Sequence, residues 1–157
     1  MPSQIKAIYI AANAGDPMIE VESAHLEVGR GIVGDRYYAH AGTFSEKLAG
    51  KPGIEVTLIE AEEIDRFNAK GGFAFDYGDF RRCVVTTGVR LNDLVGKQFS
   101  VGETLLEGVR LCEPCAHLAE LTTSAVLPGL VGRAGLRANI IVGGIIAPQD
   151  LVEENAA

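Results

Sequence analysis

Leu111-Cys112-Glu113-Pro114-Cys115-Ala116-His117-Leu118 places two of the chain's three thiols three positions apart, beside a proline and a histidine. The thiolate, not the thiol, attacks electrophiles and binds soft metals, so what matters is how such a segment is presented. Proline at the first helical position loses no hydrogen bond, because the N–H it lacks has no intrahelical partner there. The spacing therefore predicts a helix opened by Pro114, with Cys115 in its first turn, where free N–H groups and the macrodipole favour the anion. Glu113 opposes that effect. A Cys-x-x-Cys pair admits three functional readings: half of a zinc site, a thioredoxin-like dithiol, or a soft ligand or sulfur-accepting thiolate at Cys115. Zinc would need further ligands from Cys83, His25, His40 and His117, and no second pair stands at finger-like spacing. The competing structural reading makes both cysteines small buried hydrophobes.

The arginines bear on the same choice. Arg30, Arg36, Arg81, Arg82, Arg133 and Arg137 lie in or beside glycine-bearing turns or at strand ends, not along one helical face. Forked guanidinium groups in turns can share a phosphate with free backbone N–H groups. The simpler alternative is that each pairs with one of the 21 acids. For Gly29 to Tyr38 that simpler reading is a glycine-punctuated loop with a local Asp35–Arg36 salt bridge, and the functional one brings Arg36 to an anion.

These groups need positioning elements. Gln4–Ala11 reads as a strand ended by the turn-prone Asn13-Ala14-Gly15-Asp16-Pro17, and Met18–Val28 as one or two short strands. Residues 39–53 are polar and glycine-bearing, suited to an exposed loop. Glu55–Ile59 is a strand leading into a helix over Glu60–Lys70, where Ala61, Ile64 and Phe67 recur at helical spacing and Gly71-Gly72 supplies the stop. Strands are expected over Phe80–Thr86, Gly96–Gly102 and Thr104–Leu111. After the thiol helix, Ile140–Ile146 reads as a buried strand pair around a glycine turn, and the tail from Glu153 as frayed. Strands at this spacing with little helix between them predict a mainly β fold, a barrel or sandwich with a few short helices.

Composition limits the classes. A chain of 157 residues without repeat, linker or composition shift fits one domain over 1–157. A net charge of −7 argues against a nucleic-acid partner held by a broad cationic surface. No apolar run approaches the roughly 18 residues of a membrane span. Three cysteines and no signal-like N-terminus point to a reducing cytoplasm.

Five segments in order carry a resemblance: Gly-Ile-Val-Gly-Asp-Arg-Tyr at 31–37, Val-Thr-Leu-Ile-Glu-Ala-Glu at 56–62, Arg-Arg-Cys-Val-Val-Thr-Thr-Gly-Val at 81–89, Leu-Cys-Glu-Pro-Cys-Ala-His-Leu at 111–118 and Gly-Arg-Ala-Gly-Leu-Arg-Ala at 132–138. Together they resemble the MOSC domain, found at the C-terminus of molybdenum cofactor sulfurases and in stand-alone bacterial proteins. The resemblance implies a MOSC-type β-barrel that binds the molybdenum cofactor (molybdopterin) or a similar anionic ligand and delivers sulfur. It makes Cys115 the reactive thiol and metal ligand, with Cys112 beside it. It matches the family's arginine elements to Arg81 and Arg133, and leaves Arg36, Arg82 and Arg137 as further anion-holding candidates. Cys83 stands where the family usually has asparagine. Nothing supplies a lysine set for covalently bound PLP, so the implied partner is a small anionic cofactor or a sulfur donor protein.

Overall fold

The computed structural model describes residues 2–43, 45–47 and 49–155. In chain order the strands and helices are β1 (Gln4–Ile10), β2 (Ile19–Val21), β3 (Ala24–Glu27), β4 (Gly31–Ile32), β5 (Val56–Glu60), α1 (Ala61–Gly71), β6 (Val84–Thr87), β7 (Gln98–Val101), β8 (Thr104–Leu111), α2 (Ala116–Leu121), α3 (Val126–Gly129), β9 (Leu136–Val142), β10 (Gly144–Ile146) and β11 (Val152–Glu154). The mainly β expectation holds. An eight-stranded sheet runs β11-β7-β8-β9-β5-β6-β1-β2, and β10, β3 and β4 form a separate three-stranded sheet.

The expected closed barrel is not described by this pairing, because β11 and β2 end the large sheet without pairing each other. One bridge, Gln4 to Leu151, and hydrogen bonds from Ile5 N–H to Asp150 O (2.9 Å) and from Gln149 N–H to Ile5 O (2.8 Å) tie β1 to the approach to β11. Of the tail expected to fray, Glu153 and Glu154 belong instead to β11, where they pair with Ser100 and Phe99 of β7, and Ala156 and Ala157 lie outside the described residues. The predicted pair within Ile140–Ile146 divides between the sheets, β10 lying on β3 and not on β9.

Alternation fills the core. Val56, Leu58, Leu136, Ala138 and Ile140 point inward from β5 and β9, joined by Ile5, Ile8, Phe99 and Leu106. On the other face Ile59, Ile64, Phe67, Phe80 and Leu118 form a second apolar cluster beneath α1. That helix connects β5 to the parallel β6, a local β-α-β crossover absent from the sequence reading. It stops where Gly72 takes the left-handed conformation (φ 69°) and donates its N–H to Asn68 O.

Gly135 positions the thiol segment. Its φ of +115° is closed to most side chains, and a Cβ there would run into the Leu58 carbonyl oxygen. That close approach lets Gly135 O accept the Cys112 N–H at 2.8 Å.

At the start of α1, Glu60 accepts the Leu91 N–H at 3.2 Å, and burial raises its pKa above the ordinary value of 4.5. The native state then binds this proton more tightly than the unfolded chain, so ionised Glu60 costs stability. The cost is absent below the unfolded pKa and grows as pH rises through the native one. Glu60→Gln, which keeps an acceptor, is expected to gain less than about 1 kcal/mol at pH 7.5, given solvent screening of a half-exposed group. The gain should vanish near pH 4. Urea melts at both pH values check this, and a pH-independent gain contradicts it.

Candidate functional site

Arg36, Tyr37, Thr43, Thr57, Arg81, Arg82, Cys112, Cys115, His117, Leu118 and Arg137 line one recess. Six of the seven residues singled out for chemistry from the sequence meet there, drawn from four stretches of chain.

The thiol segment enters one residue differently from the expectation. The helix α2 starts at Ala116, and Cys115 is its N-cap, with extended backbone (φ −135°, ψ 170°) and no side-chain cap bond. Pro114 therefore lies outside the helix and fixes the approach, while Cys115 O accepts the Ala119 N–H at 3.0 Å. Cys115 is half-buried; Cys112 and Cys83 are buried, and all three are free thiols. Burial, reinforced by nearby Asp35, pushes the Cys83 thiol up to about 12, which leaves it an inert packing group. Glu113 turns its carboxylate to the Gly132 N–H at 2.8 Å.

The four recess arginines have different states of satisfaction. Arg36 is buried and paired with buried Asp35 at 2.9 Å, its guanidinium 4.9 Å from the Tyr37 ring centroid. Asp35 also accepts N–H groups from Ala11 (3.1 Å) and Tyr37 (3.3 Å), which docks the turn after β4 onto the end of β1. The anticipated salt bridge thus exists, and its arginine is part of the recess wall. Arg82 donates to four carbonyls: Ala134 (2.8 Å), Phe80 (3.0 Å), Cys112 (3.1 Å) and Glu113 (3.3 Å). Its donors are occupied by the backbone that carries the thiols, so it positions Cys112 and Glu113.

Arg81 is the exception. The strand expected over Phe80–Thr86 begins only at Val84, because Tyr77–Phe80 form a 3₁₀ turn and Arg81 closes it with φ +63°. This left-handed residue swings its side chain toward Arg36. Arg81 Nη1 donates to Asp16 O at 2.6 Å, but Nη2 is buried with no hydrogen-bond partner among the described residues. Desolvation, and then the charge of Arg36, lowers its pKa from the ordinary arginine value. An unsatisfied buried cationic donor is costly, and such groups in native structures call for a partner. Arg137 reaches the recess from β9, where it stands opposite Thr57 of β5, and its side chain has no hydrogen-bond or ion-pair partner among the described residues.

Arg133 is not brought to this place. It lies in a separate groove with its Nη1 3.0 and 3.2 Å from the two carboxylate oxygens of Glu63. Thr43, Thr57, Tyr37 and Asp35 were not singled out as ligand groups, and they carry no motif of their own. Thr43 Oγ1 lies 3.3 Å from His117 Nε2, which links the loop after β4 to α2 across the recess.

Four guanidiniums and one carboxylate leave a surplus of positive charge inside an acidic protein. The enclosed space is about 40 Å³, room for an oxyanion-sized group. Any larger ligand must keep its remaining atoms outside. Among the described residues no group of three His, Cys, Asp or Glu side chains is placed to hold a metal ion, so the protein alone offers a soft sulfur at Cys115 but no complete ligand set. No helix of the described residues is long and apolar enough to cross a membrane.

The MOSC domain family model matches residues 45–153. The chain is similar in structure to the YuaD protein of Bacillus subtilis, with a TM-score of 0.82, 18% identity and coverage of 98% of this chain and 96% of that one. It is also similar to YiiM of Geobacillus stearothermophilus (TM-score 0.73, 16% identity, 98% and 75% covered) and YiiM of Escherichia coli (TM-score 0.71, 16% identity, 100% and 71% covered). At these identities the likeness is one of fold. No curated protein matches the sequence.

Proposed function

Because the chain belongs to the MOSC domain family, which is linked to molybdenum-cofactor binding, we propose that its recess binds an anionic, sulfur-containing ligand of the molybdenum-cofactor type, with Cys115 as soft ligand or sulfur carrier. One observation carries the reading: Arg81, whose buried Nη2 has no hydrogen-bond partner among the described residues, lines the same recess as Cys115. A phosphate or other oxyanion would satisfy that donor and the guanidinium of Arg137. Arg36, already neutralised by Asp35, would set the depth of the recess and the position of Arg81, whose carbonyl accepts from Arg36 Nη2 at 3.3 Å. Cys112 would stand as the second thiol of the wall.

When bound, the molybdenum cofactor supplies a phosphate-bearing pterin whose dithiolene sulfurs hold the metal. This chain's own residues would grip the anionic end and present a thiol. The donor set fits such a group: fixed cations for the phosphate, and a soft sulfur for a thiophilic metal or a sulfane sulfur. The sulfur itself would come from a separate donor protein, and a reducing cytoplasm would keep the thiols free.

The test is cofactor loading. Wild-type protein and Cys115→Ser are produced in cells that make molybdenum cofactor, and molybdenum, pterin and sulfane sulfur are assayed per chain. The variant is expected to carry at least about tenfold less molybdenum or sulfane sulfur with an unchanged unfolding midpoint, the loss of one soft ligand among several contacts. Equal loading in both proteins, or neither molybdenum nor pterin in the wild type, would sink the proposal.

A further inference from the structure

A second groove lies between the C-terminal half of α1 and α3, with Phe67, Phe73, Ala125, Pro128 and Gly129 as walls and Arg66, Lys70 and Arg133 at its rim. This open groove offers about 400 Å³, within the range of small-molecule sites and about ten times the room of the thiol recess. Phe67 and Phe73 stack with centroids 5.2 Å apart at 14°. A Cβ at Gly129 would lie 2.8 Å from the Phe67 ring, so glycine keeps that ring edge clear.

The charges there do not balance. Glu63 is the one carboxylate in the lining, and three arginines share it: Arg133 at 3.0 Å, Arg66 and Arg90 each at 3.9 Å. Lys70 has no hydrogen-bond or ion-pair partner among the described residues. Three cations in the lining, Arg66, Lys70 and Arg133, against one acid, in a chain of net charge −7, concentrate positive potential over an aromatic wall. A flat apolar body would lie along the rings, while a carboxylate at its end would reach Lys70 and the free N–H groups of Arg133.

We propose that this groove is a second ligand site, built for a small aromatic carboxylate. It does not rest on the reading of the thiol recess and shares no residue with it. Titration calorimetry with 2-naphthoate and its neutral counterpart naphthalene-2-carboxamide tests it on the whole chain. The carboxylate is expected to bind at least tenfold tighter than the amide. Lys70→Gln and Arg133→Gln should each weaken 2-naphthoate about tenfold and leave the amide unchanged. Lys70 is exposed, so its variant is free of the folding risk that removal of Glu63's partner carries. Cys115→Ser and Arg81→Gln should leave 2-naphthoate binding unchanged. Equal affinity for acid and amide, no saturable binding, indifference to Lys70→Gln, or loss on Arg81→Gln would each overturn the proposal.

Discussion

Arg82→Met is expected to lower the free energy of unfolding by about 3–5 kcal/mol, a large share of a small domain's total. Methionine keeps the apolar stem's volume, so the loss comes mainly from the guanidinium's hydrogen bonds. The guanidinium is buried, has no carboxylate partner among the described residues and is balanced by the four carbonyls of Phe80, Cys112, Glu113 and Ala134. Each buried carbonyl left without a donor costs about 1–3 kcal/mol, reduced here where water from the recess can reach the Cys112 and Glu113 oxygens. Arg82→Lys should recover less than half of the loss, because one ammonium cannot span carbonyls on three stretches of chain. Since two of those carbonyls carry the thiol segment, oxyanion binding should fall along with stability. Equilibrium urea unfolding measures the first effect. A loss under about 1 kcal/mol would mean that the carbonyls find other partners and that Arg82 does not hold the segment.

The contrast between Arg82 and its neighbours explains what was legible in the sequence. The strands at Gln4–Ile10, Val56–Glu60 and Thr104–Leu111 and the helix at Ala61–Gly71 follow local periodicity, which one face of burial imposes. Turn placement and family resemblance single out Cys112, Cys115, Arg36, Arg81, Arg82, Arg133 and Arg137, and all but Arg133 line the one recess. What each arginine does was not legible. Arg82 and Arg81 are adjacent and identical in type, but Arg82 donates to four carbonyls while Arg81, with left-handed backbone, donates to Asp16 O and keeps Nη2 without a partner among the described residues. That conformation carries no signature in Phe80-Arg81-Arg82. Arg133 sits in a Gly-Arg-Ala-Gly stretch much like the others, yet the partner that claims it, Glu63, is 70 residues away. Likewise Thr57 and Arg137 become neighbours through β5–β9 register, a tertiary pairing that spacing cannot supply. The separation of β10 from β9 has the same origin: Gly144 adopts φ 153° and the chain leaves the large sheet for β3.

Arg81→Gln is expected to separate binding from stability. Glutamine can still donate to the Asp16 carbonyl, but it removes the buried charge and the partnerless Nη2. In the ligand-free protein two effects oppose each other. A charge-assisted hydrogen bond to Asp16 O becomes a neutral one, while the desolvation and the repulsion from Arg36 that lower the Arg81 pKa both disappear. These are of similar size, so stability should stay within about 1 kcal/mol of wild type. Binding has no such compensation. An oxyanion in the recess would lose two charge-assisted N–H bonds at about 1.5 kcal/mol each, so affinity for inorganic phosphate or molybdate should fall about 100-fold, or about 2.7 kcal/mol. In thermal melts the wild-type midpoint should climb with added phosphate, since a ligand that binds only the native state stabilises it by mass action. The variant's midpoint should start near the same value and stay flat over the same range. A variant that melts well below wild type yet keeps the phosphate-dependent rise would reverse the assignment. Arg81 would then be a structural clasp on the Asp16 turn, and the anion would have to be held by Arg137 alone.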